Sequence, residues 1–187
     1  ALDTEKRIIT LEQPFHYYGY RKGQWFRGFN LLCEIDQPGE WYADRRLGIL
    51  YFWPPGDIGR GRVEISMAPG LFTLTDVSHV AIRGLRFETA RGTAVTIKGG
   101  QQCRVVACTF RNLGNHAVTI FEGKETGVIG CDMHGMGGGG IYLVGGDRKM
   151  LESGGHFAEN NHIYHYGRWD RMYRPGIFMS GVGLRAS

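Results

Sequence analysis

The densest collection of polar and aromatic side chains in the sequence lies between residues 159 and 174. Some of these side chains could move a proton or stabilise a developing charge, and others offer the guanidinium groups and flat rings that suit a carboxylate, a sulfate or a sugar ring. The candidate catalytic residues are His162, His165, Asp170 and Arg171. The candidate binding residues in the same segment are Arg168, Trp169, Tyr173 and Arg174.

Two kinds of bond cleavage would use such residues in different ways. β-Elimination needs a cation to neutralise a carboxylate and a base to remove the neighbouring proton, a role open to His, Tyr or Arg. Hydrolysis of a glycosidic bond needs two carboxylates, about 5–5.5 Å apart for retention or about 6.5–9.5 Å apart for inversion. Asp170 could supply one carboxylate, and Glu122, Asp147 or Glu159 the other. The same side chains also suit a plain solvated loop, and that alternative stays open.

The pattern predicts no metal site and no cofactor. His162 and His165 are three residues apart, a spacing that points two strand residues to different faces. Asp147 lies in a segment, residues 145–149, with only weak similarity to calcium-binding repeats, because no nonapeptide period surrounds it. A calcium ion at Asp147 is the weaker alternative.

An internal repeat of 23 residues defines the elements that position these residues. Three segments beginning at Val80, Cys103 and Thr126 align without gaps, and a second set of short segments recurs at the same interval. Apolar residues alternate within each segment, which indicates strands with one buried face. Because a unit of this length cannot bury that face alone, it must stack on its neighbours. The sequence therefore predicts an all-β protein, a parallel β-helix of about four coils.

In such a helix, equivalent residues form columns along the axis. Cys108 and Cys131 are expected one above the other inside the coil, as free, buried thiols. Glycine is abundant, with 30 residues, and part of it falls at bends where a positive φ is expected. The predicted columns are Val95/Val118/Ile141, Ile97/Ile120/Leu143, Phe87/Phe110/Met133, Leu85/Cys108/Cys131 and the bend column Gly84/Ala107/Gly130/Asn160.

Two insertions interrupt the period in the fourth unit. One lies within residues 145–155, after the strand at Ile141, and the other within residues 164–176, before the strand at Ile177. Both flank the same predicted sheet, so they would form the walls of a groove over it. Tyr142, on that sheet, is added to the candidate binding residues for this reason.

The first third of the chain lacks the 23-residue repeat. Residues 1–62 do not repeat and are rich in aromatic residues, which could cap the β-helix or form a platform for sugar stacking. Two strand-like runs at residues 40–43 and 49–53 flank a turn and predict a hairpin. Residues 63–187 form the predicted coils. They end soon after the strand at Ile177, so we expect a truncated β-helix whose open end could self-associate.

Composition and charge indicate which classes of binding partner are not expected. The formal net charge is +4, but the basic residues are scattered, so no nucleic-acid partner is predicted. No apolar run is long enough to span a membrane, and no signal peptide is recognisable.

The segments 38–44, 48–55, 160–165 and 175–177, together with the coils, give the chain a resemblance to the right-handed parallel β-helix repeat proteins of the pectate-lyase-like superfamily. The resemblance covers nearly the whole chain and implies a carbohydrate-active, secreted or extracytoplasmic protein. It implies binding, and degradation by a hydrolase or lyase, of a polysaccharide that could be anionic. Members are usually several times longer, so we expect this chain to be an N-terminal fragment. The alternative is a non-catalytic glycan-binding or structural, self-associating β-helix module.

Overall fold

The chain forms two compact units, Ala1–Val63 and Glu64–Ser187, and the computed structural model describes residues 2–3 and 5–187. The N-terminal unit contains two antiparallel strand pairs. In the second pair, Asp44 stabilises the turn, because its Oδ1 accepts from the backbone N–H groups of Arg46 and Leu47, both at 2.9 Å. The predicted hairpin is therefore confirmed. The strands and 3₁₀ turns of this unit are β1 (Leu2–Asp3), β2 (Ile8–Ile9), a 3₁₀ turn (Leu32–Glu34), β3 (Trp41–Asp44), β4 (Ile49–Phe52) and a 3₁₀ turn (Ile58–Arg60).

The second unit is a parallel β-helix with three sheets, which we number in the order in which each coil visits them. The first sheet contains β5 (Phe72–Thr75), β8 (Val95–Lys98), β11 (Val118–Phe121), β14 (Ile141–Gly145) and β17 (Ile177–Gly181). The second sheet contains β6 (Ala81–Arg83), β9 (Arg104–Val106), β12 (Gly127–Ile129), β15 (Phe157–Glu159) and β18 (Arg185–Ala186). The third sheet contains β7 (Arg86–Glu88), β10 (Thr109–Arg111), β13 (Asp132–His134) and β16 (His162–Tyr164).

The register confirms the predicted columns. Val95 pairs with Val118, which pairs with Ile141, and Phe87 pairs with Phe110, their rings stacked at 4.9 Å. These residues form one core along the axis of the β-helix, as alternation of inward apolar residues requires. Leu85 is aligned with its column but 46% exposed, because the strands on either side of it, β6 and β7, are edge strands of their sheets.

The bend column is confirmed as well. Gly84, Ala107, Gly130 and Asn160 all have a positive φ, between 49° and 68°, although Ala107 carries a Cβ. Further corners have positive-φ columns that the sequence did not indicate, because most of their residues are not glycine. They include Asp76/Gly99/Glu122, His79/Gln102/Glu125/Gly155 and Thr89/Asn112/Gly135/His165.

Stacking of the coils pairs several buried polar groups of the core. The Cys131 Sγ accepts from the Cys108 N–H at 3.4 Å, and burial raises the pKa of the Cys131 thiol to about 11. Both thiols are free and buried, as predicted. His156 is fully buried, and its Nδ1 accepts from the Thr126 N–H at 3.2 Å. Among the described residues, no helical segment has the length and apolar character needed to cross a membrane.

Candidate functional site

The outward side of the first sheet carries a ladder of aromatic rings. Tyr142 on β14 pairs with Phe178 on β17, and their rings stack at 4.3 Å with an angle of 10°. Phe121, at the end of β11, approaches Tyr142 at 5.6 Å. In earlier coils the position of Tyr142 is held by Thr96 and Thr119, whose hydroxyls are 3.3 Å apart. The change from threonine to aromatic residues thus occurs in the coils that carry the long insertions. We call the outward side of the first sheet the first-sheet face.

A polar cluster lies where the strands of the first sheet begin. The loop formed by residues 165–176 places Asp170 and Arg174 in an ion pair at 2.5 Å. His116, which precedes β11, packs edge-on against Tyr142 at 5.5 Å. Burial lowers the pKa of His116, the charge of Arg174 lowers it further, and Asp170 opposes the shift. The imidazole is therefore held neutral near pH 7 and able to accept a proton.

Two atoms in this cluster are buried without a hydrogen-bond partner among the described residues, Nδ1 of His116 and Nε of Arg174. Buried polar atoms are normally paired, and unpaired ones often mark a functional site or a water position. His116, Asp170 and Arg174 therefore form a partly buried polar cluster beside the first-sheet face.

The opposite edge of the first-sheet face is bordered by the insertion formed by residues 146–156. Its Arg148 reaches across to β17, where Nη2 donates to the Ser180 hydroxyl at 3.2 Å. Asp147 closes the turn of this loop, accepting from the Lys149 N–H at 2.7 Å. Within the described part of the chain, no group of three or more His, Cys, Asp or Glu side chains is placed to hold a metal ion.

A second polar surface lies beside the third sheet. There a cleft of about 710 Å³, which we call the third-sheet cleft, opens between the ends of β13 and β16 and the loop of residues 165–176. Its lining residues are Asn112, His134, Gly135, His165, Tyr166, Gly167, Arg168 and Arg171. His165 reaches the cleft because its left-handed backbone, with φ 48°, ends β16 and turns the chain.

A row of rings leads from the third sheet into this cleft. His162 is exposed on β16, and its Nδ1 lies 3.0 Å from Oδ2 of Asp132 on the neighbouring strand. The His162 ring stacks on Tyr164 at 4.6 Å, and Tyr164 stacks on His134 at 5.0 Å. The carboxylate therefore orients the first ring of a continuous row that ends at a residue lining the cleft.

The loop of residues 165–176 separates the two surfaces. Its backbone is hydrogen-bonded to the run of four glycines, residues 137–140, that precedes β14. The N–H of Gly167 donates to the Gly138 carbonyl at 2.7 Å, and the N–H of Trp169 donates to the Gly137 carbonyl at 3.1 Å. A Cβ at Gly137 would overlap the Trp169 ring and the Gly114 carbonyl. The glycine run is thus required for close approach of one coil to the next.

The structure divides the predicted site residues between the two surfaces. His165, Arg168 and Arg171 line the third-sheet cleft, with His162 on the adjoining row. Asp170, Arg174 and Tyr142 belong to the first-sheet face, where Asp170 pairs with Arg174. Trp169 packs on Gly137. Tyr173 is 81% exposed at the tip of the loop.

Sequence reasoning missed several residues of both surfaces. Asp132 and Phe178 could have been found, because they are the column partners of His162 and Tyr142 once the insertions are counted. His116 and His134 gave no such signal, since their roles depend on ring contacts across the coils.

Comparison with known proteins supports the fold. The family model described as the right-handed beta helix region matches residues 70–180, which is more than half of the chain. No match was found among curated proteins or among solved structures.

Proposed function

The chain belongs to the right-handed β-helix family, and on that scaffold we propose that it binds a polysaccharide along the first-sheet face. The observation that carries this proposal is the ring ladder of Phe121, Tyr142 and Phe178, which lies between two polar edges. Because Tyr142 and Phe178 stack face to face, their edges form an apolar surface that a sugar would contact, and flanking polar groups supply hydrogen bonds to hydroxyls.

The geometry of this surface suits an extended polymer. Parallel strands place equivalent residues at a regular spacing of about 4.8 Å along the axis, so Thr119, Tyr142 and Phe178 lie in one row along the face. The Asp170–Arg174 pair borders one side, and the Arg148–Ser180 contact borders the other. A chain lying on the rings would meet charged and hydroxyl groups on both sides.

A second candidate function is cleavage of that polysaccharide by β-elimination, and the cluster around His116 favours it. The lowered pKa of His116 leaves a neutral base near Arg174, whose guanidinium would pair with a uronate carboxylate in exchange for the carboxylate of Asp170. His116 would take the proton from C5, next to the carboxylate, the C4–C5 double bond would form as the C4–O bond breaks, and the departing sugar oxygen would take a proton from water.

Hydrolysis would need a second carboxylate near Asp170. Of the predicted partners, Glu159 pairs with Arg185 on β18 of the second sheet, and Asp147 lies in the insertion at the opposite edge of the face.

Binding is tested with the full chain and a panel of immobilised polysaccharides, neutral and acidic. We expect Tyr142→Ala and Phe178→Ala to weaken binding of the retained polymer about tenfold each, as the loss of a stacked ring implies. Tyr17→Ala is the comparison variant, because it removes a 93% exposed ring from the N-terminal unit, whose aromatic residues are the alternative sugar-stacking platform; a loss of binding in Tyr17→Ala alone would place the ligand there. Equal binding by all three variants and the unchanged chain would refute the proposal.

Cleavage is tested on the same panel by following reducing ends and the absorbance of unsaturated uronides. β-Elimination yields both signals, and hydrolysis yields reducing ends alone. We expect His116→Ala to abolish the uronide signal while binding is retained. Binding without either signal would leave a non-catalytic glycan-binding β-helix, which is the alternative that the sequence also supports.

A further inference from the structure

The N-terminal unit contains a stretch of exposed aromatic and basic side chains, residues 13–33, which we call the aromatic–basic segment. We propose that this segment binds the surface of a lipid bilayer that carries anionic headgroups. Binding of this kind requires no spanning helix, and it does not depend on either surface of the β-helix binding a ligand. The aromatic residues of the segment are Phe15, Tyr17, Tyr18, Tyr20, Trp25, Phe26 and Phe29, and its basic residues are Arg21, Lys22 and Arg27.

The rings of the segment are exposed to solvent instead of packing in the core. Trp25 is 98% exposed, Phe26 is 80% exposed and Tyr17 is 93% exposed. A large exposed apolar surface of this kind marks a site where a partner molecule or a membrane is bound. Tryptophan and tyrosine suit the boundary between lipid and water, because each combines an apolar ring with a polar group that stays hydrated.

The charge of the segment has one sign. Three basic residues lie among the rings, and no Asp or Glu occurs between Glu12 and Glu34. Each Lys or Arg close to an anionic membrane strengthens binding about fivefold. Lys and Arg together with Trp and Phe are also the composition of segments that lie in the membrane interface. The segment therefore matches a bilayer in both its apolar surface and its charge.

Local contacts hold the cations beside the rings. In the turn of residues 21–24, the Gln24 N–H donates to the Arg21 carbonyl at 3.2 Å, and the Arg21 N–H donates to Oε1 of Gln24 at 3.0 Å. Trp25 follows this turn directly. The Arg27 guanidinium lies over the Phe29 ring, 5.2 Å from its centroid. Insertion of the rings would therefore bring the cations to the level of the headgroups.

The same surface continues into a cleft of about 450 Å³ at the β3–β4 hairpin. Phe29 lines this cleft together with Arg45 and Arg46, both exposed. Its one carboxylate among the lining residues, Asp44, uses Oδ1 to accept from the backbone of the turn. Arg45 and Arg46 would therefore pair with headgroup phosphates next to the inserted rings.

Two other ligands of aromatic and basic surfaces fit the segment less well. Single-stranded nucleic acid binds in a groove that is lined by rings and cations, whereas the Trp25 ring is almost fully exposed. Carboxylates are strong acceptors for sugar hydroxyls, and the segment contains none. Both ligands are outcomes of the test.

The experiment is co-sedimentation of the full chain with vesicles of phosphatidylcholine, or of an equal mixture of phosphatidylcholine and phosphatidylglycerol. We expect the chain to bind the mixed vesicles, and to bind the phosphatidylcholine vesicles at least about tenfold more weakly. Added salt should weaken binding to the mixed vesicles, because it screens the charges. No sedimentation with either vesicle, or equal binding to both, would overturn the proposal.

Variants locate the contact. Trp25→Ala should lower binding to the mixed vesicles about tenfold, and Arg27→Gln about fivefold. Tyr173→Ala and Arg83→Gln are the matched controls, because they remove an exposed ring and an exposed charge from the β-helix. An equal loss in the controls, or unchanged binding in both segment variants, would place the contact elsewhere and contradict the assignment.

A conservative variant tests insertion of the ring itself. Brominated lipid in the mixed vesicles should quench part of the tryptophan fluorescence of the unchanged chain, and Trp25→Phe should remove that quenching while most of the binding is retained. Quenching that persists in Trp25→Phe would refute insertion at this position. Binding of an oligothymidylate or a neutral polysaccharide that Trp25→Ala abolishes, without binding to either vesicle, would assign the segment to that ligand instead. Thermal unfolding of each variant confirms that the exposed substitutions leave the fold intact.

Discussion

Replacing Ala107 by glycine should stabilise the β-helix. Ala107 has φ 49° in a column whose other members are Gly84, Gly130 and Asn160, all with positive φ. A left-handed backbone costs a residue with a Cβ roughly 1–2 kcal/mol. Glycine removes that cost but adds about 0.4–1 kcal/mol of conformational entropy to the unfolded chain. Ala107 is exposed, so no cavity is left behind.

The difference between these effects is a gain of about 0.5–1 kcal/mol in the free energy of unfolding. For a chain of this size that corresponds to a rise of roughly 1–4 °C in the unfolding midpoint. Gly130→Ala is the reciprocal change, and since a Cβ there would meet nothing within 4 Å, its cost is backbone strain alone. We expect it to destabilise the chain by a similar amount.

Thermal and urea unfolding of the two variants, measured beside the unchanged chain, test this reasoning. Ala81→Gly is the control, because Ala81 is exposed in strand β6 and has no positive φ, so the change should destabilise by roughly 0.5–1 kcal/mol. The reasoning is refuted if Ala107→Gly destabilises the chain as much as Ala81→Gly does.

Three further predictions concern buried groups. Burial lowers the pKa of His156, so its neutral form stabilises the fold above about pH 6.5, and that stability is lost as the pH falls below this value. In urea unfolding, His156→Gln should reduce the dependence of the free energy of unfolding on pH. Gly137→Ala should cost about 1–3 kcal/mol in thermal unfolding, because its Cβ would overlap the Gly114 carbonyl, and an unchanged midpoint would contradict the close packing. An alkylating reagent should modify one thiol of the folded chain, the exposed Cys33, and all four after denaturation; rapid labelling of Cys131 would contradict its raised pKa.

Much of the fold could be predicted because a β-helix repeats its own register. A 23-residue period places Val95, Val118 and Ile141 in one column, and the observed pairing follows it without a shift. The positions of both insertions also followed from the period. The corners were harder, because residues such as Thr89 and Gln102 have a positive φ without being glycine, and only the stacking of neighbouring coils imposes that conformation.

The sequence could predict which residues belong to the candidate site, but not which of the two surfaces each residue lies on. Asp170 and Arg171 are adjacent in the sequence, but Asp170 pairs with Arg174 near the first sheet while Arg171 lines the cleft beside the third sheet. Sequence alone could not separate them, since the path of the loop depends on backbone hydrogen bonds to Gly137 and Gly138. Because a long insertion lies outside the 23-residue repeat, the repeat does not predict the path of its backbone.

Hydrogen exchange of the full chain, with and without a saturating polysaccharide from the binding panel, tests the central claim most directly. If the polymer lies along the first-sheet face, amides of residues 146–156 and of β17 should exchange more slowly in its presence, because the ligand covers both. Amides of the second sheet should be unaffected. Protection confined to the second sheet or to the N-terminal unit would contradict the assignment of the first-sheet face as the polysaccharide-binding surface.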